Sequence, residues 1–147
     1  MARAATQTLR NALRRVFRPS QSPFITEEAQ LPPRVIRQLD ELGERLSAWA
    51  AAKRYCRRSP NLDQTVKELG TDKYLLFLYF RLRIGEDFRT WRTRLRIQEA
   101  QRLFREDPSL PASEAALLTG FNDRSNFSRQ FIHHSGLSVT DWKRNNL

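Results

Sequence analysis

The chain has 147 residues, 39% of them apolar and 29% charged, and carries a net charge of +10. That length bounds one domain, or one domain with an extension, and the charge favours polyanionic partners, nucleic acid before an anionic membrane. The single Cys56 excludes an internal disulfide and a cysteine-based zinc site, and agrees with a reducing cytoplasm. The densest apolar run, Tyr74 to Phe80, is far short of the roughly 20 residues a membrane helix needs. No apolar h-region follows the early arginines, so a secretory signal is not expected.

From the N-terminus, Leu9, Leu13, Val16 and Phe17 fall at helical spacing with Arg10, Arg14, Arg15 and Arg18 between them. This segment reads either as an unstructured extension or as a short basic amphipathic helix for a partner or a membrane surface. Residues 19–33 hold Pro19, Pro23, Pro32 and Pro33 and read as a linker, because each proline removes a donor and disfavours helix before it. A basic extension therefore covers residues 1–31, and a leading helix occupies residues 32–58. Val35, Ile36, Leu39, Leu42, Leu46, Trp49 and Ala50 predict that helix from Arg34 to about Arg57. Ser59-Pro60-Asn61 stops it and caps the next helix.

Residues 59–147 repeat one plan twice. Leu62 to Leu69 predicts a two-turn helix closed by Gly70, and Thr71 or Asp72 caps a helix running to Ile84 and Gly85. Helix, glycine turn, helix over 62–85 is a helix-turn-helix pattern. Asp87 caps a connecting helix over 88–106 with two apolar stripes, Phe88, Trp91 and Leu95, then Ile97, Ala100, Leu103 and Phe104. Asp107-Pro108 ends it. The second pattern, 113–136, comprises Ser113 to Leu118, the Thr119-Gly120 turn, a helix from Arg124 to His134, and Gly136. A last turn from Ser138 tucks Trp142 inward. Gly70 against Gly120 and Gly85 against Gly136 mark an internal repeat of about fifty residues. No strand signal occurs, so the fold class is all-α: two helix-turn-helix subdomains joined by a long helix.

The basic charge is uneven. Residues 53–105 hold fourteen basic and six acidic residues, whereas residues 106–147 hold four basic and five acidic. The stretch Gly120 to Phe131 carries different information. Asn122 or Asp123 can cap its helix, Phe127 and Phe131 share one buried face, and Arg124, Ser125, Asn126, Ser128 and Arg129 are displayed. A helix that hides phenylalanines and shows Arg, Asn and Ser suits the patterned donors and acceptors of a DNA major groove.

Residues 62–144 resemble the DNA-binding domain of AraC/XylS-type transcription regulators. The resemblance rests on Leu69-Gly70, Gly85, Phe88, Trp91, Leu95-Arg96-Ile97, Ala100 and Leu103-Phe104 in the first half. It continues through Ser113-Glu114, Gly120-Phe121, Asp123, Ser125, Phe127-Ser128-Arg129, Phe131, Gly136 and Trp142-Lys143. The family's third and sixth helices enter successive major-groove segments, held apart by the central helix. By that resemblance, double-stranded DNA is the expected partner and RNA polymerase a further candidate. The base-contact candidates are Arg124, Ser125, Asn126, Arg129 and Tyr74. The phosphate-contact candidates are Lys73, Arg81, Arg83, Arg92, Arg94, Arg96, Ser128 and Gln130.

The first helix-turn-helix departs from the family pattern. Tyr74, Phe77 and Leu78 stand at its outward positions, polar or basic residues are usual where Phe77 and Leu78 stand, and Thr65-Val66 replaces a Leu-Ala pair. Val66 is expected to push two helices apart or rotate one. This lobe is therefore expected to contribute packing and phosphate contacts, with base reading left mainly to the second. An alternative is an AraC-like interaction module that binds a protein through Phe77 and Leu78. The 31 residues before Pro32 are too few for the family's usual small-molecule effector domain. The chain then reads as a stand-alone reader or as the output end of something longer. His133-His134 has no accompanying ligand cluster, and no Ser/His/Asp set, phosphate loop or carboxylate pair can be argued. No enzyme activity, metal or cofactor is expected. Cys56, near Arg54, Arg57 and Arg58, is a candidate for a lowered thiol pKa.

Overall fold

Helices supply the regular structure of the computed structural model, which describes residues 25–58 and 61–147, with no strand among them. The segment considered at residues 1–18 and the Ser59-Pro60 stop lie outside the described residues. The chain divides into two units: one holds residues up to Ala52 together with Asn61–Phe88, the other the stretch from Lys53 to Pro60 together with Arg89–Leu147.

In the first unit, α1 (Ile25–Glu28) occupies part of the expected linker. Pro33 then opens α2 (Pro33–Ala51), where its fixed φ suits the first helical turn. Leu39, Leu42, Leu46 and Trp49 recur at three- and four-residue steps and form the buried stripe of α2. Gly43 sits inside this helix, where glycine ordinarily costs about 1 kcal/mol. A Cβ there would lie 2.9 Å from the Tyr79 hydroxyl, so the bare glycine makes room for that ring. The helix does not reach residue 57 as expected. It stops at Ala51, Lys53 turns left-handed at φ 53°, and Arg54–Cys56 form a 3₁₀ turn.

The first helix-turn-helix is α3 (Leu62–Glu68) and α4 (Lys73–Tyr79). Asn61 caps α3 by accepting from the Gln64 N–H at 3.0 Å, and Asp72 caps α4 by accepting from the Leu75 N–H at 2.9 Å. Thr65 and Val66 are both buried. Beyond Tyr79 the helix widens into a π turn over Phe80–Ile84, closed by a Gly85 N–H to Phe80 carbonyl bond of 2.8 Å. Leu76 and Phe80 point inward, and Phe88 lies 5.5 Å from Phe80 and 5.7 Å from Trp49, centroid to centroid.

One expected orientation is corrected here. Tyr74 and Phe77 are exposed, at 67% and 61%, but Leu78 is only 5% exposed. The upstream half of α2 is the reason. Leu39 joins Leu78 and Leu82 in one apolar cluster, with Leu31, Val35, Leu75 and Tyr79 packed against it.

In the second unit, α5 (Phe88–Glu106) begins at the last residue of the first unit and is followed by α6 (Ala112–Leu118), α7 (Arg124–Ser135) and α8 (Val139–Asn146). Its core is aromatic. Phe121, Phe127, Phe131, Phe104 and Trp142 follow one another at centroid separations of 5.2, 5.7, 6.1 and 6.2 Å. Lys143 is structural: its Nζ donates to the carbonyls of Pro108 and Leu110 at 3.0 and 2.7 Å and lies over the Phe104 ring. The segment from Lys53 is tied to α5 by two polar clamps. Arg96 donates to the carbonyls of Tyr55 and Arg57 at 2.5 and 2.9 Å. Glu99, itself buried, accepts from Lys53 at 3.0 Å and from Arg102 at 2.7 Å. Burial pushes the Glu99 carboxyl up, but the Arg102 and Lys53 donors outweigh it and leave the pKa lowered.

This packing predicts two stability effects. Gly120 has φ +90°, and a Cβ there would meet the Cys56 carbonyl oxygen at 2.5 Å, whereas Gly136 has φ +77° with nothing within 4 Å. Gly120→Ala is expected to cost about 2–4 kcal/mol and Gly136→Ala about 1–2 kcal/mol, since only the first adds a backbone clash to left-handed strain. Urea melts of both variants measure the difference. For Glu99, a lowered pKa means its stabilisation is complete above the unfolded carboxylate pKa of about 4.3 and is lost as pH falls through the folded value. The thermal stability gap between wild type and Glu99→Gln is therefore expected to be widest near neutrality and to close in acid.

Candidate nucleic-acid interface

The rotation of α7 is set from both sides. Asp123 caps it by accepting from the Asn126 N–H at 2.6 Å, and Phe127 and Phe131 are fully buried on its inner face. Over its first two turns the outward residues are polar: Arg124, Ser125 and Arg129 are exposed, and Asn126, Ser128 and Gln130 are half-buried, while Ile132 is exposed one turn further on. Ser125 and Arg129 are four residues apart and share a face. Among the described residues, neither Arg124 nor Arg129 forms an ion pair. Both guanidiniums are thus available for a bidentate contact to guanine or to phosphate.

The two units can be compared position by position at an offset of 51 residues. The caps Asp72 and Asp123, the buried pairs Leu76/Phe80 and Phe127/Phe131, and the left-handed Gly85 and Gly136 all correspond. At the same offset, Tyr74 matches Ser125, Phe77 matches Ser128 and Leu78 matches Arg129. The first unit therefore offers exposed Tyr74 and Phe77 but covers the position that carries Arg129 in the second.

The phosphate-contact candidates separate into several groups. Lys73 is exposed and pairs with Asp63 at 2.7 Å, a surface contact that DNA can displace. Arg81 is paired with Glu27. Arg83 donates to Glu28 from Nε at 3.0 Å and Nη2 at 2.5 Å, and its Nη1 lies 2.8 Å from Asp40. Burial pulls the Arg83 pKa down, but the bonds to Glu28 and Asp40 outweigh it and raise it. Arg92 and Arg94 are half-buried on α5, and burial, then the neighbouring Arg89, lowers the Arg92 pKa.

Arg96 is a correction. At 8% exposure, with its guanidinium bonded to two carbonyls, it holds the 53–58 segment and is not presented to phosphate. Burial, then the charge of Arg92, pulls its pKa down to about 10, so it stays cationic at neutral pH. Cys56 also differs from expectation. Burial, then the Glu99 carboxylate, pushes its thiol up to about 11 despite Arg96, Lys53 and Arg102. The basic middle of the chain is thus substantially compensated from within.

The acidic partners Glu27, Glu28 and Asp40 escaped the sequence reading. The available signal was an acidic pair just before a proline-opened helix, adjacent to a lobe rich in arginine. Among the described residues, no group of His, Cys, Asp and Glu has metal-site geometry, and no helix is long and apolar enough to cross a membrane.

A family model described as a helix-turn-helix domain matches residues 65–145. No curated protein matches the chain. Among solved structures, the fold is similar to the C-terminal domain of AraT, a response regulator from Geobacillus stearothermophilus. That similarity has a TM-score of 0.57 at 21% identity and covers 80% of this chain and 89% of the other. With two capped helix-turn-helix repeats joined through α5, the chain belongs to the AraC-type helix-turn-helix family of DNA-binding transcription regulators.

Proposed function

We propose that this regulator binds a specific operator and reads its major groove mainly with α7. One observation carries the reading: Arg124, Ser125 and Arg129 stand exposed on a helix whose rotation is fixed by Asp123, Phe127 and Phe131. Arg129 and Arg124 supply forked donors for guanine, Asn126 can pair with adenine, and Ser128 and Gln130 lie beside them for phosphate or sugar. The first unit, with Leu78 covered, serves as a support that reads few bases. Lys73 and Tyr74 at the start of α4 are its nearest candidates for DNA contact. The protein would act in the cytoplasm on double-stranded DNA, with RNA polymerase as the further partner of such a regulator, and would catalyse no reaction.

A second reading has its own support. Tyr74 and Phe77 are adjacent exposed aromatics one turn apart on α4, which suits a protein partner better than base edges. Selection of a preferred duplex from a random pool, followed by base substitution, decides between the readings, because a protein-binding module would enrich no sequence.

Arg129→Ala is expected to cost about 1–3 kcal/mol on the selected duplex and much less on random DNA, since a base contact specifies and a phosphate contact does not. Arg96→Met is expected to act through the fold instead. It leaves the Tyr55 and Arg57 carbonyls without their charged donor and should lower stability by about 1.5–3 kcal/mol. Titration calorimetry and thermal melting, run on both variants, separate the two effects.

A further inference from the structure

The first helix-turn-helix carries its own acidic cover. Two arginines of the wide turn, Arg81 and Arg83, are held by Glu27 and Glu28 of α1, more than fifty residues away in sequence. Beneath them, Leu39 of α2 seals Leu78 and Leu82, with Leu31 and Val35 packed alongside. At the corresponding positions in the second unit, Arg129, Ile132 and His133 are exposed and His134 is half-buried with its ring against His133. The face is therefore covered in the first repeat and largely exposed in the second. Its closure has two physically different layers, an apolar contact and a set of carboxylate–guanidinium pairs.

The layers differ in what DNA can do to them. The leucine contact has no competitor in a nucleic acid, because phosphates and base edges gain nothing by replacing it. The ion pairs do, since a phosphate accepts the same forked guanidinium bonds as a carboxylate. Glu27 is 45% exposed and Arg81 39%, so this pair is within reach of solvent and of a competing anion. The Arg83–Glu28 pair is more enclosed, at 22% and 25%, and Asp40 gives Arg83 a further anchor on α2 itself.

We propose that Glu27 and Glu28 form an autoinhibitory gate that keeps Arg81 and Arg83 off the DNA backbone and so limits the affinity of the regulator. This rests on the DNA-binding reading above and adds a control to it. With the gate in place, the protein engages DNA mainly through its second unit. When the α1 turn is displaced, Arg81 loses its Glu27 carboxylate and Arg83 keeps only its bond to Asp40, while the Leu39–Leu78–Leu82 contact stays intact.

The test measures binding of the full chain to a random-sequence duplex as a function of salt. Each added phosphate contact steepens the log–log slope by about 0.9, so release of Arg81 alone should steepen it by about 0.9 and release of both arginines by about 1.8. Glu27→Gln/Glu28→Gln is expected to bind more tightly with a slope steeper by about 0.9. Adding Asp40→Asn, which removes the last carboxylate from Arg83, should bring the change to about 1.8. A charge-matched control, Glu41→Gln/Glu114→Gln, changes two exposed acids elsewhere and should leave the slope alone. Arg81→Ala/Arg83→Ala should not change the slope in the wild-type background and should cancel the gain in the Gln background.

The gate is overturned if the Gln pair behaves like the control. It is also overturned if removing the arginines makes the wild-type slope shallower, because they would then already lie on DNA. If wild type binds and depends on Arg129 but the Gln pair adds nothing, the gate alone falls. If neither wild type nor the Gln pair binds DNA, the gate and the functional reading fall together. Both glutamates are partly exposed and glutamine is isosteric, and a matching far-ultraviolet circular dichroism melt confirms that the variants are folded.

Discussion

Each helix-turn-helix depends on a capped helix with two apolar side chains one turn apart. An aspartate fixes where the helix begins, and the buried pair, Leu76/Phe80 or Phe127/Phe131, fixes how it is rotated. Once both are set, every other side chain on the helix has its direction assigned. In α7, that direction gives Arg124, Ser125 and Arg129 to solvent. In α4 the same constraint gives Tyr74 and Phe77 to solvent but turns Leu78 toward α2. The two lobes thus share caps and buried pairs, and differ in the residues at matched outward positions, in the π turn that follows α4, and in what covers Leu78.

Charge is handled in a similar way. A chain with 26 basic residues would be expected to present a broad positive field, but several of its cations are committed inside their own units. Arg96 and Lys143 bond backbone carbonyls, Lys53 and Arg102 share the buried Glu99, and Arg81 and Arg83 face Glu27, Glu28 and Asp40. A formal charge counts such residues as though all were available to a ligand. The exposed guanidiniums of α7 lie in a stretch of nearly balanced charge, so position matters there more than total charge.

Much of this was legible in the sequence because it is local. Glycine at a left-handed turn, Asn or Asp three residues before a satisfied N–H, and phenylalanines at i, i+4 are short-range signals. They place α3, α6, α7 and the start of α4 to within a residue or two, but not the change to a π turn after Tyr79. The polar face of α7 followed from the same signals, since the phenylalanines fix its opposite side. What the sequence concealed depends on distant residues meeting. Leu78 looks like any outward residue of α4 until α2 is laid across it. Arg96 and Arg94 look alike in the string, but Arg96 is buried and donates to the carbonyls of Tyr55 and Arg57, whereas Arg94 is half-buried. The end of α2 was misplaced for a related reason: alanines and Lys53 continue a helical pattern well, and the break comes from the tertiary tie of the following turn to α5.

That tie has a consequence for how the molecule can be dissected. The chain leaves the first unit after Ala52, contributes the stretch through Pro60 to the second, returns at Asn61, and leaves for good after Phe88. Neither unit is a contiguous piece of polypeptide. A truncated gene that begins at Arg89 would lack the strap that Arg96 and Glu99 hold, and one that stops at Phe88 would carry that strap with nothing to receive it. A protease nick near residue 59 would leave each unit assembled from two fragments. Interleaving of this kind means that neither unit can be excised as one stretch of chain, although each repeat is recognisable as a separate motif.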